Sequence, residues 1–81
     1  MEKRIGAALI MLENRESIGQ LNQIISAHAD IIVGRQGIPL SGRNVNIISL
    51  VLEGSNDQIG ALTGPIGQLS GVQVKTIMMR G

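Results

Sequence analysis

Ile18-Gly19-Gln20-Leu21 and Ile59-Gly60-Ala61-Leu62 are one helical opening written twice, 41 residues apart. Worked outward at the same offset, Leu9 falls on Leu50, Ile25 on Ile66 and Val33 on Val74, giving six identities across the 27 aligned positions 9–35 and 50–76. Each copy reads as strand, Gly-punctuated helix, strand, so the chain reads as two βαβ halves. Interleaving two such halves predicts an α+β fold: a βαββαβ sandwich, with a four-stranded antiparallel sheet and both helices on one face. Right-handed crossovers in both halves give the strand order 4-1-3-2.

Length and composition limit the functions open to such a chain. Its 81 residues make one domain, 1–81. At 43% apolar, 16% charged and a net charge of +1, it is neither a disordered segment nor a polyanion binder. It has no cysteine, so disulfides and thiolate chemistry are excluded and a cytoplasmic location is expected. The apolar run Ile5 to Leu12 follows Met1-Glu2-Lys3-Arg4 like a signal peptide, but it belongs to a set of four matched strands, lacks a small-residue cleavage site and is too short to span a bilayer. No membrane association is expected. Phe, Tyr and Trp are absent too. A core without aromatic rings in a chain of this size supplies no more than about 3–5 kcal/mol, so burial against a second copy is expected to make up the difference.

The strands predict where that second copy sits. The first, about 4–12, is apolar on both faces, with Ile5, Ala7, Leu9 and Met11 on one and Gly6, Ala8, Ile10 and Leu12 on the other. A strand with one wet face alternates apolar and polar, so both faces are expected to be covered. The third strand, about 45–53, is the most apolar and belongs beside the first. The second is expected over about 30–36 and the fourth over about 72–79. Residues 37–44, with two glycines and a proline, read as the loop joining the halves. The first helix carries Ile18, Leu21, Ile25 and His28 at spacings of 3, 4 and 3, and the second carries Ile59, Leu62, Ile66 and Leu69 in the same way. Asn14, and Ser55 or Asn56, are the expected N-caps. Pro65 predicts a kink or a broken last turn in the second helix.

Few residues invite chemistry. His28 is the lone histidine and stands where the other copy has Leu69. It suits a metal or anion ligand, or more plainly a core-edge ring bonded to a carbonyl. With no cysteine, it cannot close a metal site within one chain, so no metal is expected. Gly34-Arg35-Gln36-Gly37 leaves a strand without the Lys-Ser/Thr or following helix of a phosphate loop. Gly37 then shapes a strand exit, while Arg35 is a candidate carboxylate or phosphate anchor. Asn14 and Arg15 open the first helix, where backbone N–H groups favour anions, and capping is the plainer role. No nucleophile, base and orienting carboxylate stand in a placed relation, so no enzyme is expected. Nucleic-acid binding is not expected either: the sheet offers no aromatic rings for stacking, the basic residues are scattered, and no spare element exists to read DNA.

The segments 30–39 (Asp-Ile-Ile-Val-Gly-Arg-Gln-Gly-Ile-Pro), 45–54, 57–67 and 71–76 resemble the small proteins called iron-only hydrogenase system regulators. The resemblance covers nearly the whole chain, and its Gly-Arg-x-Gly-Ile-Pro and Ile-Gly-Ala-Leu-Thr-Gly blocks carry it. It implies a ferredoxin-like, ACT-like fold, similar to the effector domain of the nickel-responsive repressor, and association with maturation of the iron-only hydrogenase. The turn Glu13-Asn14-Arg15-Glu16 lacks the Asp-x-Pro-Gly signature of ACT domains, so an amino-acid ligand at that turn is not carried over. The His/Cys set of the nickel domain is missing, so nickel is not carried over either.

These readings predict a non-enzymatic regulatory module with no cofactor, self-associated through the sheet face away from the helices and taking a small effector at an interface. The alternative is an adaptor that binds a hydrogenase-maturation protein and no ligand. A third, an enzyme using Arg35 and His28 across an interface, needs a pocket the sequence does not supply. The candidate ligand or interface residues are Asn14, Arg15, His28, Arg35 and Gly37.

Overall fold

The computed structural model describes residues 3–40 and 42–80. Its elements run β1 (Arg4–Leu12), α1 (Ile18–Ala27), β2 (Ile32–Leu40), β3 (Val45–Gly54), α2 (Asn56–Gly67) and β4 (Val72–Met78), with short 3-10 turns at Arg15–Ser17 and Ala29–Ile31. The strands form one sheet in the order β2-β3-β1-β4, every neighbouring pair antiparallel. This is the ferredoxin-like arrangement expected from the repeat, with β1 and β3 at the centre.

One layer of side chains holds the two helices to the sheet. Ala8, Ile10 and Leu12 from β1 and Leu50 and Leu52 from β3 meet Leu21 and Ile25 of α1 and Ile59, Leu62 and Ile66 of α2, all of them buried. The spacing of 3 and 4 along each helix puts its aliphatic residues on one stripe, and that stripe is what faces the sheet. Ile18 at the start of α1, Ile24 beside the stripe and Leu69 beyond the end of α2 are half-buried against the core.

The ends of the elements follow their local chemistry. Ser55 caps α2 with a complete capping box: its Oγ accepts from the Gln58 N–H at 3.1 Å, and Gln58 Oε1 accepts from the Ser55 N–H at 2.9 Å. Pro65 does not break α2. The helix runs to Gly67 and then tightens, with Gln68 N–H donating to the Pro65 carbonyl and Leu69 N–H to that of Ile66. Pro65 forgoes the bond to the Ala61 carbonyl, and the tightened last turn is the 3-10 form common at helix ends.

Two expectations need correction. β2 does not end at Gln36: it continues through Gly37, Ile38 and Pro39 to Leu40, pairing with β3 as far as Leu40↔Val45. Pro39 is tolerated because β2 is an edge strand, where an absent N–H need not cost a ladder bond. The connection shrinks to 41–44, of which Ser41 lies outside the described residues, and Asn44 makes the turn at φ 56°. The second correction concerns the repeat. Leu9 and Leu50 align in sequence, yet Leu9 is 53% exposed and Leu50 is fully buried. The inward positions of β1 are 6, 8, 10 and 12, and those of β3 are 48, 50, 52 and 54, one residue out of phase with an offset of 41. The strand-to-helix turns therefore differ by one residue, while Leu21/Leu62 and Ile25/Ile66 keep the helices in register.

Candidate functional site

The five candidate residues do not form one cluster. Asn14 is occupied structurally: its Oδ1 accepts from the Glu16 N–H at 3.0 Å, and its Nδ2 donates to Ser70 Oγ at 3.3 Å. Together with the Ser17 hydroxyl, which donates to the Ser70 carbonyl at 2.7 Å, it ties the turn before α1 to the turn before β4. His28 follows the last residue of α1, and its Nδ1–H donates to the Ile24 carbonyl at 2.8 Å. That is the carbonyl-bonded ring of the plainer reading. Among the described residues no three His, Cys, Asp or Glu side chains gather as a metal site would require.

Arg15, Arg35 and Gly37 belong together. Once β2 runs to Leu40, its positions 35, 37 and 39 pair with Leu50, Ile48 and Asn46 and so point toward the helices. None of the three supplies a branched aliphatic side chain. A seam between α1 and β2 is left open, forming a cavity of about 220 Å³ floored by Leu12, Ile18, Leu21 and Ile48 and edged by Asn22, Arg35 and Asn46. A Cβ on Gly37 would meet nothing within 4 Å. A second cavity of about 170 Å³ adjoins the first, sharing Leu12, Pro39 and Asn46, and Arg15 and Glu13 line it. A third, of about 310 Å³, opens on the other side of Arg35 against Ile25, Ser26 and Ala29. The result is a trough along α1 with an apolar floor, one arginine beside its middle and another near one end.

Asn22, Pro39 and Asn46 line this trough and escaped the sequence reading. Ending β2 at Gln36 placed Gly37 and Pro39 in a loop. The alternation Arg35, Gly37, Pro39, carried through the proline as an edge strand allows, was the signal that would have found them.

The opposite face of the sheet is the second feature. Ile5 (45% exposed), Leu9 (53%), Val51 (43%) and Ile77 (66%) stand on it around Ala7, with Ile38 (44%) farther out on the edge strand. Within one chain nothing covers them. A contiguous apolar surface of this kind marks an interaction site.

Against known families, residues 4–76 match the TM1266-like iron-only hydrogenase system regulators. The chain belongs to that family. Among solved structures, protein TM1266 from Thermotoga maritima, whose function its own description leaves open, is 39% identical, with a TM-score of 0.93 over 98% of this chain and 100% of its own. A glycine cleavage system transcriptional repressor superposes with a TM-score of 0.74 at 10% identity, over all of this chain but only 48% of that one. CPII, a nitrogen regulatory PII-like protein from Thiomonas intermedia K12 solved with ADP, AMP and bicarbonate, gives a TM-score of 0.53 at 13% identity over 99% of this chain and 96% of its own. At those identities the last two show a shared fold, ACT-like and PII-like. A search of curated proteins found no match. Among the described residues, no helix of this family member is long and apolar enough to cross a membrane.

Proposed function

We propose that the chain is a single-domain, non-enzymatic regulatory module of an iron-only hydrogenase system. In this reading it is cytoplasmic, self-associates through the outer face of its sheet and takes a small effector in the trough between α1 and β2. The observation that carries the reading is the open seam at Gly37, where an inward strand position carries no side chain and the space above it stays free. A protein that needed only a stable fold would gain from a Val or Ile there. Arg35 at the trough edge and Arg15 beyond Pro39 favour an anionic effector, held by charge-assisted hydrogen bonds over an aliphatic floor. Family membership supplies the hydrogenase association, and the PII-like neighbour, which binds adenine nucleotides and bicarbonate, is a precedent for effector binding on this fold. The sole histidine is engaged with a backbone carbonyl and has no placed nucleophile, so it lends an enzyme reading no support.

A thermal-shift screen of the purified protein against carboxylates, amino acids, nucleotides, bicarbonate and divalent cations tests the effector. Expected is a rise in Tm with at least one anionic compound, lost in Gly37→Leu, whose side chain fills the seam while the protein stays folded. A flat response to every compound would defeat the effector reading and leave the adaptor, a module recognised by a hydrogenase-maturation protein.

A further inference from the structure

The outer face of the sheet carries a charge pattern that defines how two copies would meet. Ladder partners in an antiparallel sheet share a face, so the register gives the layout directly. Ala7 lies at the centre, with Val51 beside it on β3 and Ile77 on β4. Ile5 lies two residues before it on β1 and Leu9 two residues after. Glu53 is the partner of Ile5 on the β3 side, and Lys75 is the partner of Leu9 on the β4 side. The acidic and the basic residue thus sit at diagonal corners, each one strand across and two residues along from Ala7, in opposite senses.

We propose that a second copy packs face to face on this sheet about a two-fold axis passing over Ala7, with each Glu53 facing Lys75 of the other copy. This rests on the self-association in the reading above and adds its geometry. The axis is the one that bisects the line from Glu53 to Lys75. With strands about 4.8 Å apart and a rise of about 3.4 Å per residue, it lies about 55° from β1, so the strands of the two sheets cross at about 70°. That is near the orthogonal class of sheet packing, the remainder being comparable to the twist between neighbouring strands.

The same operation has consequences that were not used to choose it. It sets Ile5 over Ile77 of the second copy and Leu9 over its Val51, so the four most exposed apolar residues around the centre cover one another. The axis itself, by construction, puts the smallest side chain, Ala7, at the point of closest approach. An isologous interface requires self-complementarity of this kind. The four strands present a face of roughly 19 by 27 Å, so a dimer buries on the order of 1,000 Å² in total, enough for a specific interface when the packing is good.

The test is charge reversal read by sedimentation velocity at low ionic strength, across a concentration series of the full chain. Both residues are exposed in the single chain, so Glu53→Lys and Lys75→Glu leave the core intact. Each places two like-charged pairs in the dimer and is expected to weaken dimerisation about tenfold, while the double variant restores opposite charges and returns it to within about threefold of wild type. Ala7→Glu, at the centre, is expected to give monomers with an unchanged far-ultraviolet circular dichroism spectrum. If Ala7→Glu dissociates the dimer but the reversals have no effect, or the double variant is no better than the singles, the two-fold is wrong and the sheet-face self-association stands. A wild-type monomer throughout would overturn both.

Discussion

The two halves of this molecule share a plan and differ in how their seams are filled. In the second, α2 lies against β4: a Cβ on Gly67 would come within 3.4 Å of Val74 Cγ1, and Val72, Val74 and Met78 take three of the four inward positions of the strand, with Thr76 at the other. In the first, the equivalent helix residue is Ser26 and the equivalent strand offers Arg35, Gly37 and Pro39, and a trough runs where the second half is packed. One seam is packed; the other stays open. A duplicated unit can specialise in this way because the two central strands and the helix stripes already supply the burial, so an edge seam can be opened at little cost.

The contrast depends on the joint between the halves, and its disruption has the largest expected effect. Gly71 has φ +70°, and a Cβ there would lie 2.4 Å from Asn14 Cβ and 3.0 Å from Asn14 N. Its carbonyl also accepts from the Glu13 N–H at 2.8 Å. Gly71→Ala should cost about 3 kcal/mol from left-handed strain and the clash together, seen as a marked fall in the urea midpoint. A loss below about 1 kcal/mol would mean the two turns separate easily and the halves are less dependent on one another than the packing implies.

The next test sets the two seams directly against each other. Gly67→Leu adds methylenes beyond a Cβ already in contact with Val74 and, set against the helix propensity gained over glycine, should destabilise by about 1–2 kcal/mol. Gly37→Val enters open space at an ordinary strand conformation and should be neutral or stabilise by up to about 1 kcal/mol. Chemical denaturation of the two variants side by side decides it, and equal losses would show that the first seam is not open. Smaller still is the cap. Ser55→Ala removes one side of the capping box and should cost about 1 kcal/mol, with the loss confined to α2 in amide hydrogen exchange.

Much of this was legible in the chain. The identities at Ile18/Ile59, Leu21/Leu62 and Ile25/Ile66 mark residues that face one core from two helices, and helical periodicity survives any change in the turns outside it. Strand phase does not survive such a change. A one-residue difference before the helices turned Leu9 outward and Leu50 inward although the letters match, because a strand reverses its face at every residue. The candidate site was legible residue by residue, and Arg15, Arg35 and Gly37 were all named, but their grouping was hidden by Pro39. A proline ends a strand that must donate on both sides, and only the sheet order shows that β2 lies at an edge where it need not.

By itself, then, the sequence determined the βαββαβ order, the aliphatic stripe of each helix and the two apolar faces of β1, since these follow from local periodicity and from the right-handedness of crossovers. The tertiary structure decided which apolar face is left uncovered, that Asn14 is held by Ser70, and that a glycine, a proline and two arginines distant in the chain border one trough. Those depend on register and on which strand lies at the edge, properties of pairing between segments that no single segment carries.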